Sequence, residues 1–221
     1  MGHRWDFASV LGNHEALLMG AAGTLRLFAI CLVLGLVLGL GVGLARSARA
    51  AWIRLPAGAF VEFFRNTPVL VQILWFYFAL PILLPFEVGK LAAAALGISL
   101  NSAAFAGEIF RGGIQSIEPG QWEGARAIGM TGPQAMRRVI LPQAVRRMLP
   151  ALTNRAIEIF KMTTLASAIA YVELLQQGRL IASLNFNPIE AYTAIAILFF
   201  ACLWPLVRLT YALERRLARS D

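Results

Sequence analysis

Charged side chains are few in this sequence of 221 residues: 14% are Asp, Glu, Lys or Arg, where a soluble domain has about a quarter. Cysteine is scarcer, with only Cys31 and Cys202, each inside an apolar block. That excludes a disulfide framework and a cysteine metal site, and both thiols read as small core residues. The two histidines, His3 and His14, have no ligand-type neighbours and read as surface residues. No H-E-x-x-H, no G-x-S-x-G and no G-x-x-x-x-G-K-S/T occurs, so neither a hydrolytic site nor a phosphate-binding loop is recognisable. The chain is not expected to be an enzyme, and no cofactor or metal is expected on it. Ten prolines and nineteen glycines without a G-X-Y period exclude collagen and low-complexity disorder.

What is abundant is apolar sequence, 58% of residues, gathered into blocks of about twenty or more, the length at which a helix crosses a bilayer. The expectation is an all-α integral membrane bundle, one domain over 1–221, with five spans at about 17–45, 68–84, 88–109, 149–170 and 189–213. The first block exceeds a signal-peptide core of about 7–15 residues and no A-x-A-like site follows it, so it reads as retained. Within it Gly35, Gly39 and Gly43 fall four residues apart on one helix face, where another helix can approach closely. A dinucleotide loop is the weaker reading, because Leu44 occupies the place where G-x-G-x-x-G would end after Gly39 and Gly41. Pro81 and Pro85 mark the exit of the second span, and Trp75, Phe76, Tyr77 and Phe78 cover all faces of one turn as packing or interface anchors.

A net charge of +8 would suggest nucleic acid if the cations shared one polar domain, but they lie in short loops, so no nucleic-acid partner is expected. Their distribution instead orients the chain. Arg46, Arg49, Arg54, Arg111, Arg126, Arg137, Arg138, Arg146, Arg147, Arg215, Arg216 and Arg219 fall on one side; Arg4, Lys90 and Arg179 fall on the other. Twelve against three predicts an external N-terminus and a cytoplasmic C-terminus. The longest polar loop, 111–147, is then cytoplasmic.

That loop has punctuation of its own. Helix-forming residues through Ile128 stop at Gly129, which can adopt the left-handed conformation that closes a helix. Thr131 or Gly132 followed by Pro133 starts a second helix, and Pro142 interrupts it again. Read from physics alone, such helices are either surface-lying linkers or a projecting helix-turn-helix.

The segment resembles the EAA loop of importer permeases of the ATP-binding cassette class, whose pattern is E-A-A, three residues, Gly, nine residues, then I-x-L-P. Glu123, Ala125, Gly129, Leu141 and Pro142 match at the right spacing, while Gly124 replaces an alanine and Val139 the isoleucine. FFRNTPVLVQILWFYFALP over 63–81, AFAGEIFRGGIQSIEPGQWEGARAIGM over 104–130 and KMTTL over 161–165 are similar to signatures of the polar amino acid uptake permeases. The resemblance implies a type I importer permease in the bacterial inner membrane. It would translocate a polar amino acid, with glutamate, aspartate or glutamine in view, and pair with a second permease, identical or paralogous. Two cytoplasmic ATPase subunits, holding ATP and Mg, would dock on its loop through Glu123, Gly124, Ala125, Arg126, Gly129, Leu141 and Pro142. An external binding protein would deliver the solute.

Charged residues within spans are costly and face a partner or a water-filled cavity, which makes Glu108, Arg155, Glu158 and Lys161 candidates for the solute path. Each has a structural reading too: Arg155 with Glu158, and Glu158 with Lys161, are three apart and positioned to pair. Asn66, Thr67, Gln72, Asn101, Thr163 and Thr164 offer neutral hydrogen bonds, either to solute or between helices. Asn66 and Thr67 before Pro68 also suit a turn or cap. The alternative function is an ion-coupled secondary carrier, motivated by Glu108 and Glu158, although the repeated halves common in such carriers are not visible.

Overall fold

From His14 to Arg46 no proline intervenes, and the segment forms one unbroken helix (α2) of 33 residues after the single turn Ala8–Leu11 (α1). The computed structural model describes residues 5–83, 85 and 87–217, with the main chain alone at 213, 214, 216 and 217. His3, Arg4, Leu84 and Arg219, which the sequence reading uses, lie outside the described residues. The remaining helices are Ala51–Asn66 (α3), Val69–Leu83 (α4), Lys90–Gln115 (α5), Pro119–Ala127 (α6), 132–162 (α7), Leu174–Asn185 (α8) and Pro188–Leu217 (α9). Among the described residues there is no strand.

Among the described residues three helices are long and apolar enough to cross a membrane: α2, α5 and α9 through Ala212. Helices α3 and α4, bent by 103° across Thr67 and Pro68, form a fourth when taken as one broken span. The segment expected as a further span, 149–170, is the second half of α7 continued by a 3-10 turn, Thr163–Ile169. It carries Arg155, Glu158 and Lys161, and falls short of the apolarity of the others. Exposed Leu18, Val37, Ile82, Ile197 and Phe200 give the bundle the apolar exterior that a lipid solvent accepts. Cys31 is buried, but Cys202, expected in the core, is exposed on α9, because that block presents most of its apolar surface outward.

The glycine face works as the spacing predicts. The buried stripe of α2 runs Leu17, Gly20, Thr24, Leu27, Cys31, Gly35, Gly39, Gly43, and its glycine half packs on α5. A Cβ at Gly35 would stand 2.7 Å from Ser102 Cβ, and one at Gly43 would stand 2.8 Å from the Gly107 carbonyl oxygen. Such proximity gives the van der Waals contact that holds helices together in lipid.

Contrary to expectation, Pro142 does not interrupt the second loop helix, while Pro81 lies in the last turn of α4, which ends at Leu83 close to the expected exit. Each stands two residues beyond a π turn, Met136–Ile140 or Trp75–Ala79, and the α-helix resumes through it. A π turn inserts one residue and widens the coil, which relieves the clash of the proline ring with the carbonyl upstream. Accordingly the buried positions of α7 step by five across the turn, from Ala135 to Ile140, then by four to Ala144 and Met148.

Candidate functional site

One end of the bundle is built around α6. Pro119 opens the helix, and Gly129 closes it with φ +80°, its N–H donating to the Arg126 carbonyl at 2.9 Å while Met130 N–H reaches the Ala125 carbonyl at 3.0 Å. These two bonds are the Schellman arrangement, which needs a left-handed residue at that position. Thr131 then begins α7 with a reciprocal capping box to Gln134. Thus Gly129 and Thr131 fix the angle between the two helices.

The inner face of α6 is anchored. Trp122 packs on a cluster of Ile117, Ile140, Ala144 and Met148, and Ala125 is buried. Gln143 Nε2 donates to Gln121 Oε1 at 3.0 Å, and Arg147 donates to the Ser116 carbonyl, joining α7 to α6 and to the end of α5. The outer face is free: Glu123, Gly124, Arg126, Gly129, Leu141 and Pro142 are exposed, and Ile128 is 72% exposed. The sequence pattern marks Glu123 and Gly129 but neither Ile128, at a variable place within it, nor Trp122, which precedes it.

A second assembly lies deep in the bundle. The Arg155 side chain is 3% exposed; Nη1 donates to Glu158 Oε2 at 2.8 Å, and Nη2 donates to Asn101 Oδ1 at 2.7 Å and Ser102 Oγ at 3.1 Å. Its guanidinium carbon lies 4.4 Å from the centre of the Phe105 ring, which Arg65 approaches too at 4.9 Å. Arg155 Nε and Gln72 Oε1 are buried without a hydrogen-bond partner. Asn101 Nδ2 donates to the Phe64 carbonyl at 2.7 Å, and Gln72 Nε2 donates to the same carbonyl at 3.1 Å and to that of Thr67 at 3.0 Å. Beside the bend, a cavity of about 400 Å³ is lined by Phe63, Phe64, Thr67, Val71, Gln72 and Trp75 among others.

The remaining candidates separate cleanly. Asn66 donates to Glu62 in its own helix, Thr67 to the Phe63 carbonyl, Thr163 to that of Phe160 and Thr164 to that of Lys161. All four bond within their own helix ends; Asn66 and Thr67 close α3 rather than capping the entrance of α4. Glu108 pairs with Arg46 at 3.0 Å and Arg111 at 2.6 Å where α2 and α5 end, so an ion-pair cluster holds it. Arg155 pairs with Glu158, but no ion pair joins Glu158 to Lys161 among the described residues. The Glu158 side chain is 57% exposed, and Lys161 and Asn154 are exposed beside it. Asn154 is absent from the sequence candidates, although its place one turn before Glu158 was the available signal.

Residues 19–219 match the family described as binding-protein-dependent transport system inner membrane component. A probable amino-acid transporter permease of Bacillus subtilis, YckA, is 38% identical over 182 residues, which is 82% of this chain and 80% of that protein. The glutamine transport system permease GlnP of Escherichia coli K12 is 37% identical over 216 residues, 97% of this chain and 98% of its own. A crystal structure of an amino acid ATP-binding cassette transporter with histidines superposes with a TM-score of 0.91 at 34% identity, covering 97% of this chain and all of that one. The EAA-type turn with its exposed outer face thus stands on a scaffold shared with amino acid importers. This chain belongs to the binding-protein-dependent transport system inner membrane components, and is the permease subunit, not the ATPase, of an ATP-binding cassette importer for polar amino acids.

Proposed function

We propose that the permease crosses the inner membrane five times, N-terminus outside and C-terminus in the cytoplasm, and passes its solute along the face of Asn154, Glu158 and Lys161. A second permease, identical or paralogous, closes the other side of that path. Two cytoplasmic ATPase subunits, binding ATP and Mg, seat the outer face of α6 in a groove on each, and an external binding protein delivers the amino acid. Lipid covers the outward faces of α2, α4 and α9.

The observation that carries this reading is the continuity of α7. One helix, about 45 Å long at roughly 1.5 Å per residue, runs from the turn beside α6 to the charged stripe. Closure of the ATPases would move α6, and the anchored cluster around Trp122 would pass that movement to α7 as a rigid body. The stripe itself has a solute-binding logic. Charge exposed at membrane depth is expensive against lipid and sustainable against water. Glu158 offers an acceptor to an α-ammonium and Lys161 a donor to a carboxylate. Glutamine, which GlnP is named for transporting, and glutamate or aspartate, whose second carboxylate Lys161 suits, are the solutes this arrangement favours.

Uptake of radiolabelled amino acids by cells carrying Glu158→Gln or Lys161→Met tests the path. Each variant loses a charge-assisted hydrogen bond, about 1.5–3 kcal/mol, so uptake at limiting solute should fall about tenfold or more with unchanged amounts of permease in the membrane. Full uptake by both variants would remove the stripe from the path.

A further inference from the structure

The Phe64 carbonyl is an acceptor that its own helix cannot serve. Its partner four residues on would be Pro68, which has no N–H. Two side-chain amides take that place, Gln72 from α4 and Asn101 from α5. Asn101 is 3% exposed, and both ends of its amide are used, the NH2 on Phe64 and the oxygen on Arg155. Its amide thus bridges helices, one of the two readings the sequence leaves open for it. Arg155 holds Glu158 with its other terminal nitrogen. Glu158 Oε2, Arg155, Asn101 and the Phe64 carbonyl form one continuous chain of hydrogen bonds, 2.7 to 2.8 Å at each link. It leads from the exposed charged stripe to the 103° bend between α3 and α4.

We infer that Asn101 and Arg155 are positioning residues that couple the state of the Glu158 carboxylate to the angle of the α3–α4 bend. The inference rests on the reading of Glu158 as part of the solute path. An ammonium that engages Glu158 competes with Arg155 for the carboxylate. A released guanidinium binds the Asn101 oxygen more strongly or swings away from it, and the amide bond to the Phe64 carbonyl changes with it. Because Pro68 leaves that carbonyl dependent on side chains, the bend is the element able to respond. The buried Arg155 Nε without a partner marks the guanidinium as incompletely bound in this arrangement. Coupling of this kind is a free energy, and mutant cycles measure it.

The test uses the whole importer in proteoliposomes, with spin labels at Leu55→Cys on α3 and Ile82→Cys on α4, both exposed, and with the exposed Cys202 replaced by serine. Distances are recorded without nucleotide and with ATP and vanadate. The ratio of the two bend populations should change about fivefold or more on Glu158→Gln. In the Asn101→Ala background the same substitution should leave the ratio unmoved. Asn101→Leu, which nearly keeps the volume and loses both the donor to Phe64 and the acceptor for Arg155, should behave like alanine and covers the case of poor assembly. An equal response in both backgrounds overturns the coupling. Uptake of radiolabelled protein amino acids by Glu158→Gln separates the two failures: lost uptake with an unmoved bend defeats the coupling alone, whereas normal uptake with an unmoved bend defeats the path reading as well.

Discussion

Gly39 sets how near α2 and α5 approach one another. A Cβ there would lie 2.6 Å from that of Ala106 and 3.2 Å from the Ala103 carbonyl oxygen, so a larger side chain has to force the helices apart. Gly39→Leu should destabilise the permease by about 1–3 kcal/mol, read as a lowered Tm in detergent. Gly41, two residues on, meets nothing within 4 Å. Gly41→Ala should hold or raise Tm, since alanine is favoured in a helix by up to about 1 kcal/mol. Equal Tm values for the two variants would contradict the packing account. The four-residue spacing made this face legible in the sequence, but the identity of its partner helix was not, because α5 is spread with alanines that give no directional signal. Similarly, the charge of Arg155 and Glu158 drew attention to them, whereas the role of Asn101 follows from a backbone carbonyl that sequence does not show.

Among the elements, α8 depends on an unusual cap. Glu173 is fully buried and accepts from the N–H groups of Leu175 and Gln176, while Leu174 N–H donates to Thr24 on α2. Gly20 and Gly23 leave room for the incoming chain. Burial pushes the Glu173 carboxyl up to about 7 from its ordinary 4.5, against the two backbone donors and the more distant Arg179. The folded form is therefore favoured by this group below pH 4.5, and that advantage is lost as pH rises through about 7. Each unit of displacement is worth about 1.4 kcal/mol. Tm should fall between pH 5 and pH 8, and the fall should shrink in Glu173→Gln; an identical profile in both proteins would contradict it. Helix periodicity exposed α2, α5 and α9 readily. It misjudged Pro142 because a π turn leaves no mark on composition. Segment 149–170 stands out less clearly than those three, because Arg155, Glu158 and Lys161 lower its apolarity.

At the scale of the whole molecule, three buried clusters among the described residues divide the labour. The central one joins α2, α4, α5 and α7, a second fastens α1 and α8 to α2 and α9, and the third makes α6 part of the rigid end of α5 and α7. Because the third cluster holds α6 from within, its exposed side remains available to a partner, and Ile128 is the most exposed large apolar side chain there. In the proposed cycle this surface receives the force that moves the solute. The direct measurement is ATP-driven uptake by the reconstituted importer carrying Ile128→Asp, with co-purification of the ATPase followed alongside. A charge buried in the docking groove should cut uptake about tenfold or more and release the ATPase, with Tm of the permease unchanged. Wild-type uptake with the ATPase still bound would contradict the claim.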